Sequence, residues 1–249
     1  MKWSTICFDL DNTLYSHEKA FEKAVKQTFY SIYREKCSSD NVDISTWFSS
    51  FKHYCDSLWK EFENDQLTHR EYRRKRFEKS MEDMELPYSD EDADRFHQHY
   101  ESIVPAYIEP FEGLYDLLDL LYSNQVNLGI ITNGNTSTQY EKIKRLQLYE
   151  YIPSEHIFIS EECSAKKPEK EMFEYAIKKM HTKSKRALYI GDAWDLDIEG
   201  AHKAGWGAIY VNTRGEKILE TPVREPILSC HSLEEVCTFF KAALGKDED

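Results

Sequence analysis

The sequence predicts an α/β protein with a Rossmann-like parallel sheet, helices on both faces, and an all-helical domain inserted after the first strand. Three observations lead to this prediction. An apolar segment around Phe8 has the length of a strand and ends in two carboxylates. The stretch 16–104 contains no glycine and a single proline, which favours helices. After Pro105, helical patterns alternate with apolar runs of strand length, as in parallel sheets.

The inserted segment carries the apolar periodicity of four helices. A capping box, Thr68 with Glu71, marks the start of the third helix, and Ser89 is expected to start the fourth. The predicted helices run through Phe21–Ile32, Trp47–Phe62, Tyr72–Met81 and Ala93–Ile103. We therefore expect a small helical bundle over 16–104, inserted into an α/β core domain over 1–15 and 105–249.

The second half of the chain predicts the remaining strands of the sheet. Each candidate strand is a short apolar run bounded by turn residues and preceded by a helical pattern. These strands are predicted at 126–132, 156–160, 187–192 and 207–212. Because parallel strands need crossover connections, helices are expected between them.

Composition narrows the function classes. The formal net charge of −13 argues against binding a nucleic acid polymer or an anionic membrane. No run of 18 apolar residues is present, and the first residues are not typical of a secretory signal. The six cysteines form no CxxC pair and the histidines no HExxH motif, so neither a disulfide framework nor a zinc site is predicted. We expect a cytoplasmic protein with reduced thiols.

Polar residues follow the predicted strands where the strands end. Asp9 and Asp11 follow the first, Thr132 and Asn133 the second, and Asp192 the fourth. Ligands of open parallel sheets bind beyond these carboxyl ends, so the side chains are expected at one site. Facing carboxylates call for a hard cation such as Mg²⁺, whereas a hydroxyl and a nearby ammonium suit a phosphate.

Four short motifs occur in order along the chain: "DLDNT" from Asp9, "TNG" from Thr132, "KP" from Lys167 and "GDAWDLD" from Gly191. Together they resemble the four motifs of the haloacid dehalogenase-like (HAD) hydrolases, and the resemblance covers the whole chain. It implies a parallel-sheet core with a four-helix cap at the position of the helical segment. The stretch Leu58–Phe77 resembles the cap of a subgroup related to pyrimidine 5′-nucleotidases and sugar-phosphate phosphatases.

The resemblance implies catalytic and phosphate-binding roles. Asp9 corresponds to the nucleophile that attacks phosphorus and becomes an aspartyl-phosphate. Asp11 corresponds to the general acid that protonates the leaving alcohol and then activates water. Thr132, Asn133 and Lys167 correspond to the phosphate-binding groups, with Lys167 preferred to its neighbour because it directly precedes the proline.

The resemblance also implies a Mg²⁺ site. Its ligands would be Asp192, the Asp9 carboxylate and the backbone carbonyl of Asp11, with Asp197 as the second acid of the motif. Asp195 lies nearby but does not fit the spacing. The metal offsets the repulsion between these carboxylates and a phosphate dianion.

The expected reaction is Mg²⁺-dependent hydrolysis of a small phosphomonoester, such as a nucleoside monophosphate or a sugar phosphate. Three alternatives stay open. A 2-haloacid dehalogenase of the same superfamily typically lacks the acid at the position of Asp11. A phosphomutase of the β-phosphoglucomutase type shares Asp9 and Asp11. A non-catalytic binding protein would be expected to lack one of the site residues. The oligomeric state does not follow from the sequence.

One basic run stands outside these motifs. Residues 69–79 contain seven basic side chains at positions suited to a helix. We interpret the run as a solvated helix face, with Glu71 and Glu78 at pairing distances within the helix. The alternative is that these basic side chains bind a second anionic group of a substrate.

Overall fold

A computed structural model describes residues 2–33, 42–64, 66–217 and 224–245. The chain divides into two compact units, one of Met1–His17 with Ile108–Asp249 and the other of Glu18–Tyr107. The predicted domain limits lie near these bounds, and the assignment of a core and a cap domain stays a prediction. Five cysteines of the described residues are free thiols, whereas Cys37 lies outside the described ranges. Among the described residues, none of the helices combines the length and the apolar character that a bilayer span requires.

Helices make up the second unit. The helices are α1 (His17–Tyr33), α2 (Ile44–Ser57), α3 (Trp59–Glu63), α4 (His69–Glu82) and α5 (Asp90–Ile103), followed by a 3₁₀ turn at Val104–Tyr107. The predicted second helix is interrupted at Leu58, so that it forms α2 and the short α3. The capping box at Thr68 is confirmed, since its hydroxyl accepts from the Glu71 backbone N–H and the Glu71 carboxylate accepts from the Thr68 N–H.

Aromatic side chains fill the core of this helical unit. Trp47 stacks on Phe29 at a ring-centroid distance of 4.0 Å and on Phe51 at 5.2 Å. Phe96 packs against Trp47 from α5, with a centroid distance of 5.7 Å. Because these rings are almost completely buried, most of the aromatic residues that the sequence places in the insert serve its core. Trp59 is an exception, with about half of its surface exposed.

Acidic residues of α5 pair with the arginines of the basic run. Arg74 donates to Asp94 at 2.8 Å, and Arg73 donates to Glu101 at 3.1 Å. Arg70 also donates to Asp94, at 2.8 Å. The sequence predicts pairing with Glu71 and Glu78 of α4 itself, but the carboxylates that pair with these three arginines lie on α5. The paired arrangement favours the interpretation of the run as a helix face.

A six-stranded parallel sheet forms the first unit, which confirms the predicted α/β class. Its strands are β1 (Thr5–Phe8), β2 (Asn127–Thr132), β3 (Ile157–Ile159), β4 (Ala187–Gly191), β5 (Gly207–Val211) and β6 (Leu228–Cys230). All neighbours are parallel, in the order β3-β2-β1-β4-β5-β6. The strand order reverses at β1 and β4, where such sheets bind ligands. Strand β6 was not among the predicted strands.

Both faces of the sheet are covered. The helices of this unit are α6 (Leu114–Ser123), α7 (Thr136–Arg145), α8 (Lys170–Lys179), α9 (Glu199–Lys203) and α10 (Leu233–Leu244). Cys7 of β1 belongs to a buried cluster with Phe173 of α8 and Ala201 of α9. Its neighbours Ile6 and Phe8 point to the opposite face and are also fully buried. Burial on both faces explains why the strands are continuous apolar runs.

Candidate active site

The ends of β1 and β4 bring two aspartates together. Phe8 pairs with Ile190 in register, and the Asp9 backbone N–H donates to the Ile190 carbonyl at 2.9 Å. Asp9 therefore leaves β1 beside the point where Asp192 follows β4. Both carboxylates are buried, with only 6% and 5% of their surface exposed.

Each oxygen of the Asp9 carboxylate has a hydrogen-bond donor. Lys167 Nζ lies 2.5 Å from Asp9 Oδ1, and the buried Thr13 hydroxyl lies 3.1 Å from Asp9 Oδ2. The same hydroxyl lies 3.3 Å from Asp192 Oδ1, so Thr13 connects the two carboxylates. The position of Asp9 is thus fixed on both sides before any substrate binds.

Lys167 is a buried ammonium with three partners. Besides Asp9, its Nζ lies 2.7 Å from Asp197 Oδ1 and 3.0 Å from the Tyr189 hydroxyl oxygen. The Tyr189 hydroxyl in turn donates to the Ile131 carbonyl at 2.6 Å. Because an ammonium has three protons, these partners use all of its donors. Burial lowers the pKa of Lys167, but the two carboxylates outweigh it and raise the pKa, so the ammonium is charged.

Asp197 is completely buried and its two oxygens are both engaged. Oδ1 accepts from Lys167, and Oδ2 accepts from the Ala193 backbone N–H at 2.9 Å. A π-helical turn over Trp194–Ile198 places the carboxylate directly against Gly191. A Cβ at Gly191 would lie 2.3 Å from Asp197 Oδ2, so only glycine fits there. Asp197 therefore fixes the position of the Lys167 ammonium.

The residues present fit a divalent cation. Asp9, Asp192 and Asp197 each offer a carboxylate oxygen, and these oxygens lie within 4.8 Å of one another. Burial, partly offset by Lys167, raises the pKa of Asp9 to about 7. Burial, with the charges of Asp9 and Asp197, raises the pKa of Asp192 to about 8, although Arg214 lies 2.9 Å away. Burial is the main cause of both shifts, so a bound cation would favour the ionised carboxylates, and hard oxygen donors suit Mg²⁺.

Thr132 and Asn133 lie at the end of β2, next to this cluster in the order of the sheet. Thr132 Oγ1 lies 2.6 Å from the side-chain amide nitrogen of Gln139. The Asn133 side chain bonds the backbone of Lys167 twice, as an acceptor from its N–H at 2.9 Å and as a donor to its carbonyl at 3.0 Å. Its amide therefore holds the Lys167 segment in place.

Asp11 has a different environment from Asp9. Its carboxylate lies 2.7 and 2.8 Å from Lys142 Nζ, 3.0 Å from the Gln139 amide nitrogen, and accepts a hydrogen bond from the Tyr15 hydroxyl. His17 Nδ1 lies 3.4 Å away. Restricted solvent access raises the pKa of Asp11, but Lys142 and His17 outweigh it and hold the pKa well below its usual range. Two carboxylates two residues apart thus carry opposite pKa shifts.

Comparison with known proteins identifies the family. A family model described as haloacid dehalogenase-like hydrolase matches residues 6–211. The chain belongs to this family. The glyceraldehyde 3-phosphate phosphatase of Pyrococcus abyssi is 30% identical over 205 residues, which cover 82% of this chain and 79% of that protein. The pyrimidine 5′-nucleotidase YjjG of Escherichia coli is 25% identical over 238 residues, which cover 95% and 98%.

Among solved structures, the HAD-hydrolase YfnB from Bacillus subtilis, bound to magnesium, superposes with a TM-score of 0.78 at 25% identity. The alignment covers 96% of this chain and 99% of that one. This HAD-like hydrolase is therefore an enzyme, and the names of its relatives support phosphatase activity. The resemblance drawn from the four motifs is confirmed.

In this HAD-like hydrolase, Lys167 contacts both Asp9 and Asp197 directly. Asp192 is linked to Asp9 through the Thr13 hydroxyl. The sequence analysis missed several further side chains of the site, among them Thr13 between the two carboxylates, Gln139 and Lys142 around Asp11, and Arg214 beside Asp192. A signal for two of them was present. Gln139 and Lys142 lie on one stripe with the apolar Ile143 and Leu146, and polar residues on a buried helix face need a partner.

Proposed function

We propose that this enzyme is a Mg²⁺-dependent phosphatase that hydrolyses a small phosphomonoester through an aspartyl-phosphate on Asp9. The observation that carries the proposal is the buried Asp9 carboxylate, which lies between the Lys167 ammonium and the Thr13 hydroxyl within reach of Asp192. A fixed carboxylate beside cations is suited to attack on a phosphoryl group, because its own charge and that of the phosphate are both stabilised.

The reaction has two steps, each centred on phosphorus. In the first, a carboxylate oxygen of Asp9 bonds to phosphorus while the bond between phosphorus and the ester oxygen breaks, and the alcohol leaves with a proton from Asp11. In the second, Asp11 takes a proton from water, the water oxygen bonds to phosphorus, and the bond to Asp9 breaks to release phosphate. Asp11 is thus acid and then base, so both steps balance in protons.

The charges around Asp11 bear on its use as an acid. With Lys142 beside it, the Asp11 carboxyl is ionised in the free enzyme. An arriving phosphate brings negative charge to the neighbourhood, which favours the protonated carboxyl, and a phosphomonoester monoanion carries the required proton. The positive charge of Lys167, beside Asp9, would partly neutralise the transferring group, and Asp9 and Asp192 would hold Mg²⁺, which would supply further neutralisation of charge.

Small phosphorylated metabolites are the proposed substrates. Relatives bear the names pyrimidine 5′-nucleotidase and glyceraldehyde 3-phosphate phosphatase, so nucleoside monophosphates and short sugar phosphates lead the candidates. A 2-haloacid dehalogenase is disfavoured, since Asp11 is present and is held by two buried side chains of α7. We further propose that the enzyme acts in the cytoplasm, in keeping with the free thiols of its described cysteines.

The test is phosphate release from p-nitrophenyl phosphate and a panel of nucleoside monophosphates and sugar phosphates, with Mg²⁺ and after removal of metal with EDTA. Asp9→Asn is compared with Asp195→Asn, which makes the same change at an exposed position of the π-helical turn. We expect metal-dependent release that Asp9→Asn abolishes and Asp195→Asn retains.

Three outcomes would contradict the proposal. Release that survives in Asp9→Asn would exclude the aspartyl-phosphate route. Release that is independent of metal would exclude the Mg²⁺ requirement. No release from any ester by folded wild type, together with isomerisation of a sugar phosphate when a bisphosphate is added, would favour the phosphomutase alternative.

A further inference from the structure

We infer that Lys142 and Gln139, on the buried face of α7, are positioning residues that hold the Asp11 carboxylate in place for proton transfer. The inference rests on the proposed phosphatase function and extends it beyond the four motifs. Neither residue belongs to a motif, and neither touches Asp9 among the contacts that the described residues show.

Lys142 is a buried ammonium aimed at Asp11. Only 7% of its surface is exposed, and its Nζ lies 2.7 Å from Asp11 Oδ1 and 2.8 Å from Asp11 Oδ2. Burying a lysine is costly unless its charge is paired, and here the ion pair with Asp11 offsets that cost. Contact with both oxygens restrains rotation of the carboxylate about its own axis.

Gln139 links Asp11 to the end of β2. Its side-chain nitrogen lies 3.0 Å from Asp11 Oδ2, 2.6 Å from Thr132 Oγ1 and 3.2 Å from the Asn133 carbonyl, and 1% of the residue is exposed. The residue therefore ties the expected proton-transfer group to the expected phosphate-binding hydroxyl. A displacement of one would be transmitted to the other through a single amide.

The start of α7 fixes where these two side chains point. Asn135 is the N-cap, and its side-chain oxygen accepts from the Ser137 and Thr138 N–H groups at 3.1 and 3.3 Å. Positions 139 and 142 are three apart and share one face of the helix. Tyr15 holds Asp11 through its hydroxyl as well, so the carboxylate is bound from more than one direction. Proton transfer depends on this kind of placement, since small displacements cost large factors in rate.

The leaving group of the substrate makes the role measurable. An alkoxide needs a proton as it departs, whereas p-nitrophenolate is stable enough to leave without one. A variant that misplaces Asp11 should therefore lose more kcat/KM with glycerol phosphate than with p-nitrophenyl phosphate. General acid catalysis contributes roughly 10²–10⁴-fold, so we expect Lys142→Met to change the ratio of the two kcat/KM values by about 10-fold or more.

Three variants make the experiment decisive. Asp11→Asn removes the proton-transfer group and therefore gives the largest change expected in the ratio of the two kcat/KM values. The double variant Lys142→Met/Asp11→Asn should show the same ratio as Asp11→Asn alone, because Lys142 acts through Asp11. Lys144→Met removes an exposed lysine of the same helix and should leave both substrates unchanged. If Lys142→Met does not fold by circular dichroism, Gln139→Met tests the same prediction with no change of charge.

The inference is overturned if Lys142→Met and Gln139→Met lower kcat/KM equally for both esters, as a purely structural role would, or if glycerol phosphate hydrolysis is unaffected or rises. It is also overturned if the double variant changes the ratio of the two kcat/KM values by the combined effect of the two single variants. A folded wild type that hydrolyses neither ester would instead contradict the proposed function, and the two failures are thus distinguishable.

Discussion

The raised pKa values of Asp9 and Asp192 predict that Mg²⁺ binding tightens steeply with pH. At pH 6 both carboxyls of the metal-free enzyme are mostly protonated, because their pKa values are about 7 and about 8. Mg²⁺ requires the ionised forms, so binding must release protons. The perturbation is a change of pH from 6 to 8, with Mg²⁺ as the ligand.

The size of the effect follows from these two values. Taken as the two apparent pKa values of the interacting pair, they give a release of about two protons per Mg²⁺ at pH 6 and about 0.6 at pH 8. Integrated between these limits, the apparent affinity rises by a factor on the order of 500, equivalent to about 4 kcal/mol. The folding stability of the metal-free protein changes with pH in the opposite direction. The metal-free folded state binds more protons than the unfolded state between about pH 4 and 8, so its stability falls as pH rises through that range.

Isothermal titration calorimetry in two buffers of different ionisation enthalpy measures the proton count directly. Asp192→Asn should lower both the affinity and the proton release, whereas Asp195→Asn, at an exposed position, should alter neither. An affinity that is constant between pH 6 and 8, or that weakens at higher pH, would refute the reasoning. It would mean that the cation binds elsewhere or that the site is already ionised.

Further predictions concern single side chains. Gly191→Ala should lower the free energy of unfolding by about 1–3 kcal/mol in urea denaturation, because the new methyl would displace Asp197; unchanged stability would contradict the close approach. Lys167→Met should cost about 3–5 kcal/mol at pH 8 and less at pH 5, where Asp9 is protonated in the folded state, and a loss independent of pH would argue against the charge contribution. Thr68→Ala should lower the thermal midpoint through a loss of about 1 kcal/mol, and Thr68→Ser should restore it; equal midpoints would mean that the capping box contributes nothing.

The sequence predicted the convergence of Asp9, Lys167 and Asp192 for a general reason. Carboxyl ends of parallel strands lie at one edge of a sheet, so polar residues at several such ends are neighbours whatever the details of the loops. Alternation of apolar runs and helical patterns was enough to place β1, β2, β3, β4 and β5. The short β6 was not predicted, because its three residues, of which only Cys230 is buried, show no periodic pattern of apolar side chains.

Side chains that act across the fold were harder to predict. Gln139 and Lys142 differ from ordinary surface residues only in their position on the buried stripe of α7, and their partner is 128 or more residues away in the sequence. Arg214 lies beyond the last residue that the family model matches, 211, and reaches Asp192 only through the fold. Spacing along a chain predicts faces of helices and ends of strands, but not which side chains meet between distant elements.

The two aspartates of the opening motif illustrate how the fold assigns different chemistry to identical groups. Asp9 lies beside two further buried carboxyls, and when all three are ionised the neighbouring cations Lys167 and Arg214 leave this cluster with one excess negative charge. A phosphate dianion would bring the excess to three, which is why a divalent cation is expected there. Asp11, in contrast, has a carboxylate that is matched one to one by the Lys142 ammonium. These two environments are the basis for the proposed roles, in which Asp9 binds metal and phosphorus and Asp11 exchanges a proton.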